Sequence, residues 1–96
     1  MPGRRHCRRV GQHPAFTEFS PAGTGDAVSE ETILSVDEFE AVRLKDLEGL
    51  DQVECAMRME ISQPTFHRLV VSARRKIADA LVHGKIIRIE GGHYRF

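Results

Sequence analysis

The stretch DQVECAMRMEISQPTFHRLVVSARRKIADALVHG, residues 51–84, decides the fold. Its second half carries Phe66, Leu69, Val70, Ala73, Ile77, Ala80 and Leu81, apolar residues spaced mostly three and four apart. That spacing lays one apolar stripe along a helix, the strongest periodic signal in the chain. Ser62 supplies an N-cap, Pro64 falls in the first turn where a missing amide is harmless, and Gly84 supplies a left-handed stop. Ahead of this helix, Asp51 with Glu54 has the form of a capping box. It opens a short helix ending near Met59, with Cys55, Ala56 and Met59 able to face inward. Glu60-Ile61-Ser62 is the three-residue turn between the two.

Working outward, Ser35-Val36-Asp37-Glu38 is a second capping box. Phe39, Val42, Leu44 and Leu47 follow at mostly helical spacing until Gly49, which predicts a helix over 36–47. Beyond Gly84, Lys85 to Glu90 reads as a strand ended by Gly91-Gly92, with Thr32 to Leu34 its most plausible partner. Residues 1–31 hold Pro2, Pro14 and Pro21 and four glycines without periodicity, the marks of an extended arm. Phe16 and Phe19 are the candidates to pin that arm to the core. The expected architecture is mainly α: an N-terminal arm over 1–31, then a three-helix, helix-turn-helix domain over 32–96 with a short β element near its C-terminus.

Ninety-six residues suit one compact domain and leave little room for a separate catalytic cleft. No apolar run approaches the roughly 20 residues that cross a bilayer. The arginines of residues 1–10 precede no apolar stretch, so no secretory signal is read there and a cytoplasmic setting is expected. Net charge is zero, but its distribution is uneven. Arg4, Arg5, Arg8 and Arg9 crowd the start, while residues 11–40 hold seven acids and no Lys or Arg. From Ile61 onward Arg68, Arg74, Arg75, Lys76, Lys85, Arg88 and Arg95 face only Asp79 and Glu90, a local balance of +5.

A pair of helices whose second member is long and basic can place that helix in the major groove of DNA. With Ala73 at the centre of the buried stripe, the opposite face collects Pro64, His67, Arg68, Val71 and Arg75, flanked by Gln63, Thr65, Ser72 and Arg74. Gln, Thr, His and Arg can hydrogen-bond base edges, and Val71 suits a thymine methyl. Arg74, Arg75 and Lys76 suit phosphates. The competing reading is a merely solvated helix side.

Residues 50–81 resemble the helix-turn-helix of sigma-factor region 4. The whole chain resembles the prokaryotic family called domain of unknown function 134, predicted DNA-binding proteins. The matching pieces are CRRV at 7–10, FSPAG at 19–23, VDEFEAVRLKDLEGL at 36–50, SQPTFHRLVVSARRKIADALVHGK at 62–85 and IRIEGG at 87–92. The resemblance implies duplex binding and transcriptional regulation, with base contacts from Gln63, Pro64, Thr65, His67 and Arg68 and a backbone contact from Gln52. Ser62 caps that surface. The chain departs from the family pattern in three places. Gly11 and Gln12 stand where further cysteines are usual, Glu60 occupies a turn position that favours Gly or Asn, and Val53 and Met57 replace acids on the exposed side of the second helix. The last two residues suggest contact with a second subunit or another protein. A homodimer is expected, because one short helix reaches few base pairs and a two-fold doubles the site.

Other chemistry is weaker. His6, Cys7 and His13, joined by His93, permit zinc in softness and spacing but lack paired ligands, and the arginines around Cys7 fit a DNA-contacting arm better. Cys55 reads as a core residue. His67 and His83 show no carboxylate or nucleophile partner, Glu38 and Glu40 read as a helix cap and its solvent face, and no phosphate loop or nucleophile motif is present. Neither catalysis, metal nor cofactor is expected. The alternative to DNA binding is a protein-docking module, in which the acidic stretch 18–40 engages a basic surface.

Overall fold

In the computed structural model, residues 7–23 and 30–96 are described. The elements run β1 (Arg8–Arg9), β2 (Glu18–Phe19), β3 (Glu31–Leu34), α1 (Val36–Val42), α2 (Gln52–Met59), α3 (Gln63–His83), β4 (Ile86–Ile89) and β5 (Tyr94–Arg95). Helix α1 continues into a wider π-helical turn over Arg43–Leu47. The architecture is mainly helical with small strands, as the periodicity predicts.

The caps explain where the helices begin. Ser35 Oγ accepts the Glu38 amide at 3.2 Å, and the Glu38 carboxylate accepts the Ser35 amide at 2.9 Å, completing the box at α1. At α2 only half of the expected box forms. Asp51 caps the Glu54 amide at 2.8 Å, but the Glu54 carboxylate turns to Arg58 instead, one helical turn on, at 2.9 Å. Glu60 closes α2 in the left-handed region at φ 59°, the one non-glycine residue to do so among the described residues. Two backbone bonds hold it there, from the Glu60 amide to Met57 and from the Ile61 amide to Ala56. Ser62 then caps α3 at the Thr65 amide, and Gly84 ends it at φ 68°.

Two apolar clusters meet along α3. Phe66 and Val70 pack with Ala41, Leu44, Cys55, Ala56 and Met59 from the other two helices. Ala73 packs with Val10, Leu34, Val36 and Ile89 from the sheets and the start of α1. Two apolar residues leave the pattern. Leu81 is 77% exposed, because no described element covers that flank of the last turns of α3. Leu47 is 78% exposed, because within the π-turn each residue advances less far around the axis and the helical register drifts outward.

The strand pairing goes beyond the expected couple. β4 pairs in parallel with β3, Thr32 opposite Ile87, as the sequence predicts. It also pairs antiparallel with β2, Glu18 opposite Arg88, giving the order β2-β4-β3. β1 pairs in parallel with β5, Arg8 opposite Tyr94. Thus the stretch read as an extended arm enters both sheets. Its anchor is Val10, fully buried, whereas Phe16 and Phe19 are exposed and do not pin it. Gly92, at φ 104°, passes so close to Asp37 and Ser35 that a Cβ there would collide with them.

Candidate nucleic-acid interface

Helix α3 exposes Gln63, Pro64, His67, Arg68, Val71, Arg74 and Arg75, with Thr65 half-buried in its first turn. Ser62, the N-cap, is exposed, and its hydroxyl donates to Thr65 Oγ1 at 2.9 Å. Arg68 Nη2 donates to the same oxygen at 3.3 Å, which steadies its stem without neutralising it. Gln52 is half-buried at the first residue of α2. Val53 and Met57 are both exposed, one turn apart.

The charge of the C-terminal third is largely committed inside the molecule. Arg74 forms a two-pronged pair with Asp46 at 2.6 and 3.0 Å. Lys76 donates to Glu38 at 2.8 Å, Lys85 pairs with Asp79 and Glu30, Arg88 bridges Glu18 and Glu31 across three strands, and Arg95 pairs with Glu60. The local balance of +5 therefore overstates what is available to a polyanion. On α3, Arg68 and Arg75 are left without a carboxylate partner among the described residues.

Two acids do more than the sequence predicts. Glu38 serves its cap, accepts Lys76, and accepts the Ser72 hydroxyl at 2.5 Å. Burial pushes the Glu38 carboxyl up, but the bonds from Lys76, Ser72 and Ser35 outweigh it and hold the carboxyl below the usual range. Glu40, read as solvent-facing, is buried, where it grips Arg43 at 2.8 and 2.9 Å and the Gly11 amide at 2.9 Å. The Arg74 guanidinium likewise holds Asp46 below the ordinary carboxylate range. The spacing that could have revealed the Glu38 site is Ser72 and Lys76, i and i+4 on one face of α3. His83 also has a partner that sequence reading missed, Asp79 at 2.7 Å, again four residues away.

Of the arginine arm, Arg4 and Arg5 lie outside the described residues, as does His6. Arg8 is half-buried and reaches Asp37 at 3.6 Å, while Arg9 is exposed. β1 lies beside α2, so Arg8 and His93 border a groove of about 700 Å³ together with Met57, Glu60, Ser62 and Thr65. Arg8 thereby stands next to the start of α3. His13 stacks on Phe96 with ring centroids 3.6 Å apart, and Cys7 is exposed. No group of three or more His, Cys, Asp or Glu stands in position to hold a metal among the described residues. Nor is any helix among them long and apolar enough to cross a membrane. Cys55 is buried, and burial raises its thiol pKa, which suits a packing role.

A family model described as "Protein of unknown function DUF134" matches residues 1–96. The chain belongs to the DUF134 family. Among similar proteins are those named UPF0251 from Thermoanaerobacter pseudethanolicus and Caldanaerobacter subterraneus. Each is 56% identical over 95 residues, covering 99% of this chain and 80% of the relative. A UPF0251 protein of Dehalococcoides mccartyi is 51% identical over 92 residues, covering 96% of this chain and 79% of its own. No solved structure matches the chain. The DUF134 match runs through every strand and helix described above, so the sheets that hold α3 belong to the family's extent as much as the helices do.

Proposed function

We propose that the chain binds double-stranded DNA, with α2 and α3 acting as a helix-turn-helix of the sigma-factor region 4 kind, and regulates transcription in the cytoplasm. One observation carries this reading. Arg68 and Arg75, the α3 cations with no carboxylate partner among the described residues, share an exposed face with Gln63, Pro64, His67 and Val71, while Asp46, Glu38 and Asp79 are engaged with other cations. In this reading Gln63, Thr65, His67 and Arg68 approach base edges from the N-terminal half of α3. Arg75 meets phosphate, and Arg9 with Arg4 and Arg5 follows the neighbouring backbone. Arg74 and Lys76 contribute only where phosphate displaces Asp46 or Glu38.

A random-duplex selection followed by fluorescence anisotropy tests this. Arg68→Ala is expected to flatten the preference for the selected sequence at a cost of about 1–3 kcal/mol, and Arg75→Ala to weaken all duplexes alike. Unchanged affinity in both variants refutes the assigned face. A second reading, docking onto a protein without DNA readout, is favoured by Val53 and Met57, exposed at 49% and 66% one turn apart. Affinity for DNA that is absent at low salt, together with loss of a protein partner in Met57→Glu, decides for it.

A further inference from the structure

Away from the proposed DNA face, the molecule carries one contiguous apolar surface that no described element covers. Phe16 is 72% exposed, Phe19 51%, Leu47 78% and Leu81 77%. Phe16, Phe19 and Leu47 border a groove of about 460 Å³ walled by Phe39, Ile77 and Ile87. Phe19 and Ile87 also line the adjoining hollow that ends at Leu81, so the four exposed side chains belong to one surface.

We propose that this surface pairs with the same surface of a second copy of the chain. Area supports that occupant. At about 150–250 Å² per aromatic side chain, the exposed shares of the two phenylalanines offer roughly 200–300 Å². Leu47 and Leu81 raise the total to about 500 Å². A homodimer of standard size buries about 800 Å² per partner, about 65% of it apolar, which is the same quantity. Shape supports it too. Phe16 and Leu47 stand beside a groove, so a two-fold axis can seat the projecting side chains of each copy in the groove of the other, as an isologous interface requires.

Charge points the same way. Arg43, which lines the groove, is already held by Glu40 and Glu48, and Lys85, which lines the hollow, by Asp79 and Glu30. Neither cation offers a handle to an acidic partner or repels its own copy, and the chain as a whole is neutral. At about 100° per residue, Ile77 and Leu81 lie roughly 160° and 120° around α3 from Arg75, so pairing leaves Arg68 and Arg75 open. The interface stands on the apolar surface alone and makes no use of DNA.

Sedimentation equilibrium of the full chain without DNA is the test. At about 100 μM, a concentration that populates complexes of micromolar Kd, the wild type is expected at twice the chain mass. Leu81→Glu and, separately, Phe16→Glu place a charge in the interface and are expected to raise the dimer dissociation constant about a hundredfold. Both residues are exposed in the single chain, so the far-UV circular dichroism of each variant is expected to match wild type. Met57→Glu, on the α2 surface, is expected to remain dimeric. A monomeric wild type, a Leu81→Glu protein that stays dimeric, or a dimer broken by Met57→Glu would overturn the assignment.

Discussion

The two halves of α3 are held by different forces. From Gln63 to Val71 the helix is fastened by Phe66 and Val70, sunk among residues of α1 and α2. Its outward side chains bond one another, Ser62 and Arg68 meeting at Thr65, and none of them hydrogen-bonds another element among the described residues. From Ser72 to His83 the buried residues are the small Ala73 and Ala80, and the polar side chains take up the task. Ser72 and Lys76 close on Glu38, Arg74 on Asp46, and Asp79 on Lys85 and His83. Where apolar burial fixes the backbone, polar groups are free to face outward. Where it does not, most of them, Arg75 apart, are consumed in fixing it.

The hardest way to break this contrast is to remove the apolar anchor. Phe66→Ala deletes a fully buried ring and is expected to cost about 3–5 kcal/mol, read as a fall in the urea midpoint at unchanged slope. A loss within about 0.5 kcal/mol would mean that the ion pairs hold both halves. The second anchor is polar and therefore pH-dependent. Glu38→Gln leaves Lys76 with a weaker acceptor and a buried amide to satisfy, at about 1–3 kcal/mol near pH 7. Because the folded carboxyl lies below its ordinary value, its contribution is complete above about pH 4.5 and is lost as the pH falls through the lowered folded value. Wild type and Glu38→Gln are thus expected to converge in acid. Parallel stability curves down to about pH 3 would show that Glu38 is not the acid-sensitive anchor.

How much of this was readable beforehand follows the same divide. The Phe66–Val70–Ala73 stripe, the Ser35, Asp51 and Ser62 caps and the Gly84 stop are local or strictly periodic signals, and each stands in the structure, as does the long-range β3–β4 pairing expected from two short strand-like runs. The family resemblance, carried by motifs spread along the chain, stands as well. The ion pairs were not readable, because Asp46 and Arg74 are 28 residues apart and Glu38 and Lys76 are 38 apart, and composition registers only their sum. Counting cations from Ile61 onward thus overstated the basic surface. The strand pairings within the expected arm were hidden for a related reason. Two-residue strands such as Arg8–Arg9 and Glu18–Phe19 carry no periodicity, and only the partner strands define them. Leu47 and Leu81 fell outside the core because a π-turn and an uncovered helix flank are properties of the assembled fold.

The smallest expected effect sharpens the comparison most. The Asp46–Arg74 pair is 40% and 49% exposed at its side chains, so solvent screens it and its loss is expected to change stability by less than about 1 kcal/mol. Asp46→Ala nevertheless returns Arg74 to the outward-facing set. Under the DNA reading, that adds one phosphate contact, and the slope of log affinity against log salt should steepen by about 0.9 per protomer. Asp46→Ala with Arg74→Ala should bring the slope back to wild type, which separates a freed arginine from a general loss of negative charge. If the single variant leaves the slope where it was, Arg74 does not reach the duplex even when released, and Arg75 is left as the phosphate contact proposed in the second half of α3.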